Sequence, residues 1–371
     1  MMTKKLTVIQ LLPELQGGGV ERGTLEIAKG LVAAGHRSIV ISNGGRLVEK
    51  LEAEGSEHFA LPVHKKSLWS LWQVPRLRKL FDEIRPDIIH ARSRMPAWLS
   101  YLAWRRMDYA GARFVTTVHG MYSVNAYSKI MTKGEMVIAV SETIEQYIFN
   151  HYPDVPADKV VRIYRGIEPT DFPYDFQASV EWRQQWFSQY PQLQGKTVLC
   201  LPGRITRLKG HRDFIELVAA LRAQGREVFG LIVGGEDPKR AAYADELKTL
   251  VNALGLNDAI IFTGHRSDIR EIYSVSDIVY SLSNKPESFG RTVLETLALG
   301  RPVLAYAHGG VQEILSVLFP DGMVPLADNE ALFQRTIHQL DQPKKPIREH
   351  PFLLQTMIAQ TLAVYQRLTT R

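Results

Sequence analysis

Two glutamates, Glu287 and Glu295, stand eight residues apart in the run Lys285-Pro-Glu-Ser-Phe-Gly-Arg-Thr-Val-Leu-Glu295. Ser288-Phe289-Gly290 interrupt the chain, and Arg291–Leu299 then reads as a helix closed by Gly300. The pattern puts Glu295 about one turn inside that helix and Glu287 in the loop before it. A helix N-terminus offers free N–H groups and a partial positive charge, which suit phosphate or another anion. Carboxylates beside it would repel phosphate and instead suit hydroxyl groups. A ligand carrying phosphate, ribose and sugar parts satisfies both requirements.

Other residues could serve the same ligand. In Leu201-Pro-Gly-Arg-Ile-Thr-Arg-Leu-Lys-Gly210, Arg204 and Lys209 leave a strand and enter a helix. Two cations there can hold a diphosphate and offset the charge of a leaving group. Arg207 competes for either role, and a solvated basic loop is the plainer alternative. Gly17-Gly18-Gly19 between a strand and a helix lets backbone N–H groups approach a phosphate. It lacks the spacing of a dinucleotide fingerprint, and a simple reversal of the chain is its alternative. His119 follows the strand Phe114–Val118, which puts an imidazole at a sheet's carboxyl edge. An internally satisfied histidine is the ordinary reading of such a residue. Gly264-His265-Arg266-Ser267-Asp268 follows another strand and is a candidate for part of a nucleobase pocket. Eleven histidines show no ligand spacing and no aspartate pair stands at a strand end, so no metal site is expected.

Taken in order, these motifs resemble the retaining glycosyltransferases of the GT-B fold, family 4. Gly17-Gly-Gly19-Val-Glu21, His119-Gly120, Val140-Ser141-Glu142, Gly166-Ile167, Gly203-Arg204 with Lys209-Gly210, the Glu287–Glu295 segment, and Gly309-Gly310 with Glu313 all fall in the family's sequence. The resemblance covers nearly the whole chain and is similar in kind to bacterial lipopolysaccharide-core enzymes. It implies two Rossmann-like α/β domains facing a central cleft, with the donor on the second and the acceptor on the first. It also implies metal-independent transfer of a hexose-type sugar from a nucleoside-diphosphate sugar to a hydroxyl of an envelope glycan or lipid-linked acceptor. His119 would then contact the donor sugar and Glu287 would lie beneath it as the catalytic carboxylate. Glu295 would bond the ribose, with Ser288, Phe289, Gly290 and Thr292 lining the donor site. Gly18 and Gly19 would close over the diphosphate held by Arg204 and Lys209. A synthase or epimerase acting on a small soluble substrate, or a non-catalytic nucleotide-sugar-binding regulator, are the alternatives.

The elements fit that frame. Both halves alternate strand-like and helix-like segments, as parallel sheets with helices on both faces require. Leu6–Leu12, Ser38–Ser42, Asp87–Ala91, Phe114–Val118 and Val137–Val140 read as strands in the first half, with Glu21–Ala34 its clearest helix. Thr197–Leu201, Val228–Val233, Ala259–Phe262, Ile278–Ser281 and Pro302–Ala305 read as strands in the second. The expected domains are 1–175 and 176–350, with a last helix in 351–371 packing back on the first.

At 371 residues, 45% hydrophobic and 23% charged, the chain is an ordinary globular composition with room for two cores. Its one cysteine, Cys200, excludes an internal disulfide and fits a reducing compartment. The apolar run after Lys4-Lys5 is too short for a signal peptide and no window is long enough to span a membrane, so a cytoplasmic protein is expected. The formal charge of +6 is concentrated between Lys65 and Arg106, where Trp69, Trp72, Trp98, Tyr101 and Trp104 are interleaved. That stretch suits an anionic membrane surface or a phosphorylated acceptor. Two amphipathic helices with tryptophans in the core are the alternative. Nucleic acid is not an expected partner, since no recognition motif accompanies the charge.

Overall fold

The computed structural model describes residues 4–236 and 241–370. The chain forms two compact units, the first running to Gly166 and resuming at Phe352, the second Ile167–Pro351. The division falls nine residues before the expected boundary at 175. Local bonds explain the difference: Asp175 N–H donates to Leu299 O (3.2 Å), Tyr174 Oη donates to Pro346 O (2.7 Å), and Lys345 pairs with Asp175 (2.7 Å). The segment before residue 176 is thereby held by the second unit.

In the first unit, strands β1 (Thr7–Leu11), β2 (Arg37–Ser42), β3 (Glu57–Ala60), β4 (Ile88–Ala91), β5 (Arg113–Val118), β6 (Met136–Ala139) and β7 (Val160–Arg162) form one sheet. All pairs are parallel, in the order β3-β2-β1-β4-β5-β6-β7. Helices α1 (Gly19–Ala33), α2 (Val48–Ala53), α3 (Gln73–Ile84), α4 (Arg94–Trp104) and α5 (Glu142–His151) connect them. The central strands are buried along their length, which is why they read as apolar runs rather than alternations. β3 and β7 escape that signature because their exposed or half-buried residues, such as Glu57-His58 and Arg162, carry no apolar run.

The second unit repeats the plan with β8 (Thr197–Pro202), β9 (Val228–Val233), β10 (Ile260–Gly264), β11 (Ile278–Ser281), β12 (Val303–Tyr306) and β13 (Met323–Val324). The order is β10-β9-β8-β11-β12-β13, again all parallel. Its helices are α6 (Val180–Gln189), α7 (His211–Ala223), α8 (Ala241–Ala253), α9 (Ile269–Ser274), α10 (Arg291–Ala298), α11 (Gly309–Leu318) and α12 (Asn329–Asp341). Cys200 is buried in β8, and burial pushes its thiol up to about 12, so it is packing rather than chemistry.

The last helix, α13 (Leu354–Thr369), belongs to the first unit. Met357, Val364, Tyr365 and Leu368 pack with Leu6, Val8, Ile27, Leu31 and Ile88, and Ile358 closes on Gly30 of α1, where a Cβ would collide with it. Each such apolar side chain contributes roughly 1.5–3 kcal/mol on burial. Tyr365 and Thr117 share the two ring nitrogens of buried His90 (2.7 and 2.6 Å).

Each sheet changes direction once, between β1 and β4 and between β8 and β11. Ligands of open α/β sheets bind beyond the carboxyl ends of strands at such switch points. The loops after β1 and β8 carry the glycine run and the Arg204–Lys209 segment, and the loop after β11 carries Glu287.

Candidate functional site

In the second unit the loops after β8 and β11 are stapled together. Asn284 N–H donates to Leu208 O (3.0 Å), and its side-chain amide donates to Arg207 O (3.1 Å). Gly210, at φ +69, packs so closely on Leu282 that a Cβ would run into its carbonyl. These contacts bring Lys209 Nζ to 2.5 Å from Glu287 Oε1, which also accepts from Ser283 Oγ at 2.6 Å. Burial alone would raise the Glu287 carboxyl. The Lys209 charge, the bonds from Lys209 and Ser283, and the nearby His308 outweigh it and hold the group below the ordinary carboxylate range. The carboxyl is therefore held in its ionised form beside Lys209.

The backbone of this loop is fixed from α11. Gly310 N–H donates to Glu287 O (2.8 Å), and a Cβ at Gly309 or Gly310 would strike Glu287 or Phe289. His308, just before α11, bonds Ser283 O through Nε2 (2.6 Å). Ser288 is half-buried, Phe289 is buried, and Gly290 takes φ +97 as it enters α10. Thr292 lies in the first turn, and Glu295 is buried one turn in, with Arg291 Nε donating to it at 2.8 Å. The two glutamates are thus differently held, one by a lysine across the crevice and one by an arginine on its own helix. Among the described residues Arg204 is exposed and has no hydrogen bond or ion pair. Arg207 turns away, pairing with Glu246 (2.5 Å) and covering the Tyr243 ring (4.7 Å).

The segment His265–Asp268 is partly occupied by structure. Arg266 pairs with Asp268 (2.6 Å), which also accepts from Trp182 Nε1 (2.8 Å). With Trp182 and Trp186 of α6 they line a cavity of about 430 Å³ that includes none of the residues of the Lys209–Glu287 crevice. Among the described residues no group of three His, Cys, Asp or Glu side chains is placed to hold a metal.

In the first unit Gly17–Gly19 are exposed at the start of α1, whose cap residue Gly18 supplies no side-chain bond to the first turn. The N-terminal N–H groups there lack a side-chain cap. Gly17 takes φ +146 against the Arg46 guanidinium, which also bonds Gln16 O. His119 lies just beyond β5, and Arg165 Nη2 stands 3.0 Å from its Nδ1. Arginine can only donate, so Nδ1 accepts and the ring proton sits on Nε2. Burial, and then the Arg165 and Arg92 charges and His90, hold this imidazole well below its usual pKa, so it is neutral. Its Nε2 is buried and bonds to nothing within the described residues, so its N–H is unpartnered there. Gly23 of α1 makes room for the Arg165 guanidinium, which also reaches Met357 Sδ of α13 (3.7 Å).

Sequence reasoning missed Ser283, His308 and Arg165. His308 and Arg165 each adjoin a recognised motif, Gly309-Gly310 and Gly166-Ile167. Their side chains gain meaning only from partners far away in sequence.

Residues 17–171 match Glycosyltransferase Family 4, and residues 183–345 match Glycosyl transferases group 1. A solved glycosyltransferase from Rickettsia africae is 31% identical, with 98% of each chain covered and a TM-score of 0.87. Anabaena HepE, solved with UDP and glucose, has the same fold at 20% identity, with coverage of 97% and 99% and a TM-score of 0.81. The lipopolysaccharide core biosynthesis mannosyltransferase LpcC of Rhizobium leguminosarum is 31% identical over 140 residues, 38% of this chain and 40% of LpcC. The chain belongs to the family 4, group 1 glycosyltransferases and has their GT-B fold.

Proposed function

We propose that this glycosyltransferase moves a hexose-type sugar from a nucleoside-diphosphate sugar to an acceptor hydroxyl with retention of the anomeric configuration. The observation that carries the reading is the Lys209–Glu287 pair at the β8/β11 switch point. A cation for the diphosphate there adjoins a carboxylate that stays ionised. Binding of UDP and glucose by HepE supports a donor of this class. Arg204 and Lys209 would neutralise the diphosphate without a metal, assisted by N–H groups at Phe289–Gly290. Glu295 would take the ribose hydroxyls, and Glu287 would face the transferred sugar with Ser288 and Thr292 nearby. Gly18 and Gly19 would approach the diphosphate, and His119 would donate through Nε2–H to a sugar hydroxyl.

In the transfer the bond from C1 to the phosphate oxygen breaks as the acceptor oxygen joins C1 on the same face. The departing phosphate takes the acceptor proton, which leaves a glycoside and a nucleoside diphosphate. An ionised Glu287 stabilises positive charge developing on the sugar ring. With Glu295 assigned to the ribose, no second carboxylate is left at the reacting carbon, so the acid–nucleophile pairing of a glycosidase is disfavoured.

The acceptor in this reading is a cell-envelope glycan or lipid-linked glycan of the lipopolysaccharide type, a class supported by LpcC. The deciding experiment is hydrolysis of UDP-, GDP- and ADP-sugars by the wild type and Glu287→Ala. Release of one nucleoside diphosphate, lost in the variant, supports the site and identifies the donor. No release and no calorimetric binding from any donor would refute it. The anomeric configuration of a transfer product, read by NMR, tests retention separately.

A further inference from the structure

The basic, tryptophan-containing stretch between residues 65 and 106 divides into two parts. Trp98 and Trp104 are committed to the first unit's core, their indole N–H groups donating to Tyr127 O (2.9 Å) and Ala112 O (2.8 Å). Trp104 stacks on Phe114, and Tyr101 meets the same ring edge-on. Trp69, Leu71 and Trp72 are different. They sit on a short 3-10 turn, Leu68–Trp72, and are 77%, 46% and 69% exposed.

That turn is built, not loose. Ser67 caps it by accepting from Trp69 N–H (3.3 Å), and buried Ser70 donates to Lys65 O (2.6 Å). Gln73, which follows, is also buried. Ser70 and Gln73 point inward, so the indoles and Leu71 are held outward. Single exposed apolar residues are commonplace, but two tryptophans and a leucine within four positions form a patch.

The charge beside the patch is uneven. Arg78 pairs with Asp82 and Asp108, and Lys79 with Glu83. Lys65, Lys66 and Arg76 are exposed and have no acidic partner among the described residues, although Lys66 lies over the Tyr127 ring (5.2 Å). The cations nearest the turn are therefore the uncompensated ones.

We propose that the Leu68–Trp72 turn inserts into the surface of an anionic lipid bilayer, with Lys65, Lys66 and Arg76 on the headgroups. Indoles partition to the headgroup level, and cations add attraction to anionic lipid. A protein partner fits less well. A stable interface needs about 800 Å² on each side and is depleted in lysine, whereas three side chains suffice for shallow insertion. No helix among the described residues is long and apolar enough to cross a membrane, so attachment here would be from one side. The proposal deepens the lipid-linked acceptor reading but stands on its own observations.

The test is co-sedimentation of the full chain with vesicles of phosphatidylcholine alone or mixed with phosphatidylglycerol. Trp69→Ala/Trp72→Ala and Lys65→Glu/Lys66→Glu/Arg76→Glu are compared with the wild type. Donor hydrolysis without lipid and thermal melting serve as controls, since these exposed side chains leave both unchanged. Wild type should bind the anionic vesicles, and quenching by brominated lipid should fall in the tryptophan variant. Neutralising one cation should weaken binding roughly fivefold, and reversing three far more. Equal vesicle binding by the wild type and the tryptophan variant overturns insertion. So does a wild-type dimer that the tryptophan variant dissolves without any vesicle binding. Because donor hydrolysis is scored separately, failure of the membrane proposal and failure of the transferase reading are distinguishable.

Discussion

The crevices at the switch points of the two sheets are equipped in opposite ways. In the second unit charged side chains are already in place: Lys209 on Glu287, Arg291 on Glu295, and glycines at 309 and 310 that let backbone close on backbone. In the first unit the carboxyl edge of the sheet carries uncapped N–H groups at Gly17–Gly19 beside the Arg46 guanidinium, and a neutral imidazole, His119, bonded by Arg165. Fixed charge suits a diphosphate and developing positive charge, because groups already oriented need no reorganisation during reaction. Neutral N–H donors can serve a phosphate or a hydroxyl and make little demand until a ligand arrives. The same strand arrangement therefore carries two kinds of electrostatics.

The largest test of that contrast is in the charged crevice. Glu287→Ala should cut donor turnover on the order of 100-fold or more. Lys209→Met asks whether the charge is needed as a pair. Glu287 would keep its burial but lose the cation that holds its carboxyl low, so its pKa should rise. In the wild type the ionised form is favoured above the ordinary glutamate pKa and is lost only as pH falls through the depressed folded value. The acid limb of the pH–rate profile should therefore move to higher pH in Lys209→Met. An unmoved limb with reduced rate would mean that Lys209 acts on the ligand alone.

The next effect lies in the first unit, at the Arg165–His119 contact. In Arg165→Met, His119 loses the donor that fixes its tautomer and one of the charges that depress its pKa. Its imidazole pKa, followed by NMR, should rise toward the ordinary value, and transfer should fall roughly tenfold as the Nε2–H form loses its exclusive hold. His119→Gln keeps a side-chain N–H donor and should retain more activity than His119→Ala. Equal loss in both would remove the hydrogen-bond role.

How much of this was legible in the sequence follows from the physics of each element. Strands buried on both faces announce themselves as apolar runs, so β1, β4, β5, β8 and β9 could be read. β3, β7 and the two-residue β13 are edge or outer strands with mixed burial, and no apolar run marks them. The paired-glutamate segment was readable because helix start and stop signals bracket it. Long-range partners were not readable: Arg207 against Lys209 was a choice between two cations until Glu246 and Tyr243 were seen to hold the former. The tryptophans likewise looked alike in sequence, and only packing separates Trp98 and Trp104 from Trp69 and Trp72.

The smallest effect gives a clean test of the bare backbone. Gly17 is a poor place for it, since φ +146 and the Arg46 guanidinium would strain any side chain there. Gly19 is the better position, because a Cβ would meet nothing within 4 Å and no left-handed φ is involved. Alanine in a helix avoids the entropy cost of glycine, up to roughly 1 kcal/mol, so Gly19→Ala should melt at the same temperature or slightly higher. If ligand phosphate comes up to this backbone, the same methyl group should raise the donor KM several-fold while kcat changes less. A variant that is as stable and as active as the wild type, with KM unmoved, would make the glycine run only a chain reversal. The contrast between the two units would then rest, in the first, on His119 alone.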